Sequence, residues 1–359
     1  DGSIQVVQGA SESTNNKHGF RKGMMALRDM KMAWTLDEFI AMDSQFVFKM
    51  KRQESSFAIG CSLEMESAQD FTSYMQQFQF ARTRMAFLYG RYEDDPEDPK
   101  SKRKKVIVEA IYEPPQEVDP ESAEGFVLLD DDEETQEMQE KVDQLAALCQ
   151  LHKVGWIIGH PSREEVLTSS EIIMAAEYQL EDAGGVEDTP FCTVTATLKD
   201  GQISVEAYQV SKQCMEMVAE QALEVDPANP SICVVNETYT AIQEGKESKT
   251  VETAFFVTPV PILQHSSDRF VSQFPKLNRD LDERTPSHQE MKRQLQKSGT
   301  AGWTFTDLLS DFNLLVYLTK FLEMSDMAKI CESVVERSKP IDDGYKLIIA
   351  SMAGIDSAY

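Results

Sequence analysis

Basic residues are in short supply: 35 Lys and Arg stand against 61 Asp and Glu, a formal charge of −26 over 359 residues. That balance excludes a general nucleic-acid binder, because duplex affinity comes mostly from neutralised phosphate. It disfavours a membrane-surface role for the same reason, since anionic lipid attracts Lys and Arg. No apolar run approaches the ~18–20 residues that span a bilayer, and no signal-peptide core opens the chain, so no direct membrane insertion is expected. Paired cysteines are missing too. Cys61, Cys149, Cys192, Cys214, Cys233 and Cys331 are scattered with no CxxC, which leaves no zinc ribbon or redox motif to propose. Buried reduced thiols in a soluble, reducing compartment are the expectation, with no cofactor. The pair Cys149/His152 suggests a nucleophile and base, but it lies in the helical apolar pattern QLAALCQLH and reads as core. The chain starts at Asp1-Gly2 without Met and reads as a fragment whose upstream part is missing.

What is present builds cores: 41% hydrophobic and 9% aromatic residues, over a length that suits two domains. Residues 1–33 read as a flexible lead. Thr35-Leu-Asp-Glu38 has capping-box spacing, and Phe46, Phe48 and Met50 alternate with Lys49 and Lys51 as on a half-buried strand. Ser67 to Arg82 is an amphipathic helix with Phe71, Tyr74, Met75 and Phe78 on one face. Met85 to Gly90 and Val106 to Tyr112 read as strands joined by an acidic-then-basic loop, EDDPEDP then KSKRKK. Between Val106 and Glu140 thirteen acids meet no base, which makes either a solvated insertion or a docking surface for a basic partner.

Gln136 to Leu151 is helical, and Lys153 to Ile158 a strand. Thr168-Ser-Ser-Glu171 caps a helix running through Ile172 to Leu180. Phe191 to Leu198 and Ile203 to Val210 flank Asp200-Gly201, a strong hairpin signal. Ser211 to Leu223 is helical, and Val251 to Val260 a further strand. Beyond Gln264 the pattern turns helical: a short helix capped by Ser287, a long one from Thr304 to Leu322, and Met327, Ile330, Cys331 and Val334 on another. His265-Ser-Ser-Asp268 reads as the linker between the two regions.

One stretch carries the pattern of chemistry. Val154-Gly-Trp-Ile-Ile-Gly-His-Pro161, followed by Leu167-Thr-Ser-Ser-Glu171, resembles the MPN domain of the JAMM metallopeptidases. Active members present His-x-His-Pro from a strand end, an Asp eleven residues on as third zinc ligand, and a Glu from an earlier strand as general base. A catalytic zinc needs three protein ligands and an open water position. The resemblance places Ile158 at the first His, His160 at the second, Thr168 at the usual Ser, Glu171 at the Asp and Thr83 at the catalytic Glu. Ile158 offers no electron pair and Thr83 no carboxylate. The resemblance therefore implies the scaffold without the chemistry: no catalytic residue, no metal and no enzyme. Taken by themselves, His160 reads as a strand-end residue bonded to backbone, Glu171 as a first-turn carboxylate favoured by the helix dipole, and Trp156 as core.

Further motifs narrow the resemblance. Tyr89-Gly-Arg-Tyr92, Ala110-Ile-Tyr-Glu-Pro-Pro-Gln116, Lys153-Val-Gly-Trp-Ile157, Tyr208-Gln-Val-Ser211 and Gln213-Cys-Met215 are similar to the nuclear protein localization protein 4 family. So are Phe274-Pro275, Leu277-Asn-Arg279 and Ser310-Asp-Phe-Asn-Leu-Leu315. The likeness runs from about Trp34 to the end. It implies an α+β or α/β fold: an MPN mixed sheet flanked by helices over 67–262, a preceding linker segment that packs on it over 34–66, and a helical C-terminal domain over 263–359. It further implies a non-catalytic ubiquitin-binding adaptor of a hexameric AAA ATPase of the valosin-containing-protein type. With the ubiquitin fusion degradation protein, such an adaptor delivers polyubiquitinated substrates for unfolding and proteasomal degradation. The setting implied is cytoplasm and nucleus, including the cytosolic face of the endoplasmic reticulum during ER-associated degradation. The paired-cysteine zinc modules of animal and fungal members are absent, and Leu36-Asp-Glu-Phe39 is closer to plant-type members. Two other readings are an active JAMM-type zinc deubiquitinase using His160 and Glu171, with His152 the nearest third ligand, and a structural MPN subunit of a lid-like assembly. The ubiquitin-contact residues are not identified by sequence.

Overall fold

A computed structural model describes residues 46–98, 100–129, 132–282, 284–297 and 302–355. The lead over 1–33, the Thr35–Glu38 capping box and Leu36–Phe39 lie outside the described residues. In chain order the strands are β1 (Val47–Lys49), β2 (Gly60–Glu64), β3 (Arg84–Asp94), β4 (Lys104–Tyr112), β5 (Gln116–Val118), β6 (Phe126–Leu128), β7 (His152–Gly159) and β8 (Cys192–Lys199). They continue with β9 (Gln202–Val210), β10 (Leu223–Val225), β11 (Ile232–Val235), β12 (Thr240–Gln243), β13 (Lys246–Ser248), β14 (Thr250–Glu252), β15 (Val257–Val260) and β16 (Ile262–His265). The helices are α1 (Met65–Gln77), α2 (Glu133–Leu148), α3 (Ser169–Ala183), α4 (Lys212–Ala219), α5 (Thr253–Phe256), α6 (His288–Leu295), α7 (Phe305–Leu309), α8 (Phe312–Leu318), α9 (Met324–Val335) and α10 (Asp343–Met352). Mixed sheets flanked by helices and a helical C-terminal region make this an α+β fold.

The chain forms two compact units, and both are discontinuous in sequence. Among the described residues one comprises 59–162, 192–207 and 261–355, the other 46–58, 163–191 and 208–260. Residues 263–355 thus fall in the same unit as β2, β3, β4 and β7.

In that unit the strands run in the order β9-β8-β7-β3-β4-β2-β16. β3 is antiparallel to both β4 and β7, whereas β7/β8, β2/β4 and β16/β2 are parallel. β3 is central and buried from Arg84 to Gly90. At its far end Glu93 and Asp94 pair in register with Lys105 and Lys104, so the acidic-then-basic loop neutralises itself across the hairpin. The turn between β8 and β9 has Asp200 and Gly201 at φ 51° and 77°, the two positive angles a type I′ hairpin requires. Helix α1 lies on β4 and β2, and α2 contacts β7, α8 and α9.

The other unit packs α3 against α4, α5 and β10. Beside them stand two small sheets, β10-β11-β14 and β1-β12-β13. Phe46 and Phe48, the buried positions around β1, both reach Tyr239, with ring centroids 5.7 and 5.6 Å away.

Several elements depart from the sequence pattern, each for a physical reason. Helix α1 begins at Met65 because the Glu64 carboxylate accepts the amides of Glu66 and Ser67. The run from Ser211 ends as helix at Ala219; Gln221 takes φ 57° and Leu223 starts β10. The strand from Val251 is interrupted by the helical turn α5. The long helix from Thr304 is two helices, broken at Ser310 and Asp311. There the Asp311 carboxylate caps α8 through Asn313 and Leu314 (3.0 and 3.3 Å) while also accepting the amides of Gln273 and Phe274 (2.6 and 2.8 Å). Helix α10 and the pairings that build the small sheets have no signal in the sequence pattern, although the strand at Phe46 to Met50 does.

Candidate functional site

β7 delivers two of the metallopeptidase-like positions. Ile158 is fully buried, opposite Met85 of β3 and Thr195 of β8, and contributes only packing. His160 leaves the strand end with its amide on the Ala196 carbonyl at 3.0 Å. Its Nδ1 lies 2.8 Å from the Pro161 carbonyl, which can only accept, so Nδ1 carries the proton and donates.

Thr83, at the position of the base, stands half-buried just before β3 and is covered by the turn that leads into β6. Gly125 in that turn has φ +79°, and a Cβ there would lie 2.7 Å from the Thr83 Oγ1. The β5–β6 hairpin is held in place by Gln116, whose side-chain amide donates to the Met85 carbonyl (2.8 Å) and accepts its N–H (2.9 Å). Such a short hairpin is marginal alone, and this bidentate anchor supplies part of what fixes it.

The other two positions lie in the other unit, in the first turn of α3. Thr168 and Glu171 form a complete capping box: the Thr168 Oγ1 accepts the Glu171 amide and Glu171 Oε2 accepts the Thr168 amide at 2.9 Å. The same Oε2 accepts from the Arg163 guanidinium, and Glu171 is wholly buried.

These residues do not fit a catalytic zinc. Ile158 has no donor, Thr83 has no carboxylate, and the Oε2 of Glu171 serves a cap and an arginine, which leaves His160 as the one ring-nitrogen donor among the five positions. Among the described residues no group of three or more His, Cys, Asp or Glu could hold a metal ion. His152 is exposed at the start of β7 with its ring edge against Tyr92 at 4.7 Å. Cys149 is buried as the C-cap of α2, and all six cysteines are buried thiols outside any disulfide, as the scattered pattern suggests. A Ser–His–carboxylate arrangement that no motif announces joins β2, β16 and β4. The Ser62 Oγ lies 3.0 Å from His265 Nδ1, and His265 Nε2 lies 3.8 Å from Glu109 Oε2. It is a poor catalytic relay: Ser62 is 2% exposed, the second gap exceeds a hydrogen bond, and Glu109 is ion-paired to Arg91.

The quoted motifs meet one another in space. Glu113, of Ile-Tyr-Glu-Pro-Pro, is buried between Arg84 and Arg279, the latter from Leu-Asn-Arg and 2.6 Å away. Asn278 adds a bond to the Glu113 carbonyl at 2.9 Å, and Asp70 takes the other side of Arg279 at 2.8 Å. Burial would push the Glu113 carboxyl up; the two guanidiniums outweigh it and hold the group at about 2. Tyr89, of Tyr-Gly-Arg-Tyr, bonds Asp143 and Gln139 and stacks on Phe312 with centroids 5.4 Å apart. Asp311 binds the backbone of Phe274. Trp156 donates to the Thr193 hydroxyl at 2.8 Å. In the other unit, Gln209 bonds the carbonyls of Thr189 and Phe191, and Gln213 the carbonyl of Lys49. Sequence marks these motifs but not their partners, which lie as far as 209 positions away for Asp70 and Arg279.

Fold and site together define an α+β protein whose JAMM-like positions carry packing and capping roles. The sequence profile of the NPL4 family matches residues 84–256. The nuclear protein localization protein 4 homolog of Dictyostelium discoideum is 30% identical over 318 residues, 85% of this chain and 49% of that protein. An NPL4-like protein of Oryza sativa is 27% identical over 350 residues, 93% of this chain and 77% of the relative. NPL4-like protein 2 of Arabidopsis thaliana is 28% identical over 330 residues, covering 89% and 73%. The chain belongs to the NPL4 family. It spans about half the length of the Dictyostelium relative and about three-quarters of the plant ones.

Proposed function

We propose that this chain is a non-catalytic ubiquitin-binding adaptor. It would act with the ubiquitin fusion degradation protein on a valosin-containing-protein-type AAA ATPase, presenting polyubiquitinated substrates for unfolding. The observation that carries the non-catalytic part is the environment of the metallopeptidase-like positions. Each is engaged in packing, a turn or a cap, and a zinc hydroxide has no ligand set on which to form. The ubiquitin and ATPase parts rest on family membership. Their setting would be nucleus and cytoplasm, in keeping with the relatives' names, which speak of nuclear protein localization.

The net charge of −26 adds a supporting argument, because acidic surface speeds encounter with the Lys- and Arg-bordered face of ubiquitin. Screening over ~8 Å at physiological ionic strength keeps that contribution modest. The test mixes the chain with labelled ubiquitin oligomers, following binding by anisotropy and cleavage by gel at two salt concentrations, with metal analysis of the same sample. Binding without cleavage, faster at low salt and without stoichiometric zinc, is expected. Metal-dependent release of monoubiquitin, lost on His160→Ala, would establish the peptidase reading instead. A folded sample that fails to bind both alone and with its partner protein would remove the adaptor reading.

A further inference from the structure

Helix α10 is more apolar than its packing requires. Within its ten residues only Ile349 and Ala350 are buried, while Leu347 is 56% and Ile348 46% exposed. A surface helix normally turns its apolar stripe inward; here two adjacent branched side chains face away from the core. Ile348 also lines an open groove of about 710 Å³ between α10 and α9, walled by Pro340, Tyr345, Lys329, Asp326 and Asp342. The Tyr345 hydroxyl braces the groove, accepting from Lys329 at 3.1 Å and donating to Asp326 at 2.7 Å.

Charge around the groove is one-sided. From Glu323 to Met352, through both helices, there are six acids and four bases. All four bases are already engaged: Lys329 by Tyr345, Arg337 by Asp307 at 2.6 Å, Lys339 by Glu332 and Glu336 at 2.6 and 2.8 Å, and Lys346 by Asp343 at 2.8 Å. A surplus of carboxylates therefore borders Ile348 in the groove, with Leu347 exposed next to it on α10.

We infer that the α9–α10 groove docks an amphipathic helix of a partner protein, with aliphatic anchors on one face and Lys or Arg beside them. Two helices with a groove between them accept a third by ridge-into-groove packing, with anchors at i, i+3 and i+4. Basic flanks match the carboxylate border and steer the encounter. A second copy of this chain is the wrong occupant, because a two-fold contact would set the same acidic border against itself.

The probe is a fluorescein-labelled Leu/Lys peptide patterned as an amphipathic helix. It is compared with a scrambled peptide of the same composition and with a Leu/Glu counterpart. A protein this acidic attracts any cation, so the deciding variant is Leu347→Ser/Ile348→Ser, which changes no charge and touches only exposed positions. At physiological salt the patterned peptide should bind about tenfold more tightly than the scrambled one, and the double substitution should weaken it about tenfold. Asp326→Asn should flatten the salt dependence, and hydrogen exchange should slow across residues 324–352. Equal binding of the scrambled or acidic peptide, no effect of the double substitution, or protection elsewhere would overturn the inference. A concentration-dependent dimer abolished by the double substitution would also overturn it, assigning the groove to a second copy.

Discussion

Replacing Glu113 with Gln should cost about 3 kcal/mol at neutral pH, and the cost should fade in acid. The carboxylate is fully buried and held at about 2, against an ordinary value of ~4.3. A depression of about two units at 1.36 kcal/mol each gives roughly 3 kcal/mol. Removing one partner of a buried ion pair costs about 3–5 kcal/mol in general, which agrees. The sign follows from the depressed value: the stabilisation is complete above ~4.3 and is lost as pH falls through about 2. Gln keeps the shape and one acceptor oxygen, so the change isolates the charge facing Arg84 and Arg279.

Urea unfolding of the parent and Glu113→Gln at pH 7, 5, 4 and 3 gives the difference directly. The gap should be about 3 kcal/mol at pH 7 and 5 and narrow below. Combining Glu113→Gln with Arg279→Met should cost less than the two single changes together, because they share one interaction. A gap under about 1 kcal/mol at pH 7, or one that stays constant down to pH 3, would refute the assignment of stability to this buried charge.

Two further changes probe the hairpin and the broken helix. Gly125→Ala should destabilise by about 1–2 kcal/mol, since it meets both a positive φ and the Thr83 Oγ1. Thr83→Ala should restore only the contact part, which a thermal-shift comparison of the single and double variants would detect. Asp311→Ala should cost about 2–4 kcal/mol in urea unfolding, because the amides of Gln273, Phe274, Asn313 and Leu314 lose their shared acceptor.

Features decided within a few residues were legible in the sequence. The Asp200-Gly201 turn and the Thr168–Glu171 capping box form from their own backbone, so composition and spacing suffice. The buried stripe Val142, Leu145 and Cys149 of α2, and that of Met327, Ile330, Cys331 and Val334 of α9, follow from helical period. What escaped depends on distant chain. LLSDFNLL reads as one apolar helix, and only the amides of Gln273 and Phe274 arriving at Asp311 show why it breaks. The grouping of residues 261–355 with β2, β3, β4 and β7 likewise has no local signal, yet Asn278 and Arg279 bind Glu113 directly. Of the candidate site, residue identities were legible and roles were not: sequence supplies Glu171, but not the Arg163 that holds it.

Those roles bear on how far the site lies from metal chemistry. A missing ligand can be restored by one substitution only if its neighbours are free to coordinate. Here a histidine at position 158 would replace a side chain that is wholly buried between Met85 of β3 and Thr195 of β8, and its imidazole would have to be desolvated there. A glutamate at position 83 would enter the space beneath Gly125, where even a Cβ on the facing turn has no room. Freeing Glu171 would take away the cap of α3 and leave the Arg163 guanidinium without its carboxylate. Each change is opposed by local packing or electrostatics before any zinc could bind, and the opposition arises independently at each position. The non-catalytic reading therefore rests on several engaged side chains, so no single substitution would be expected to restore a metal centre.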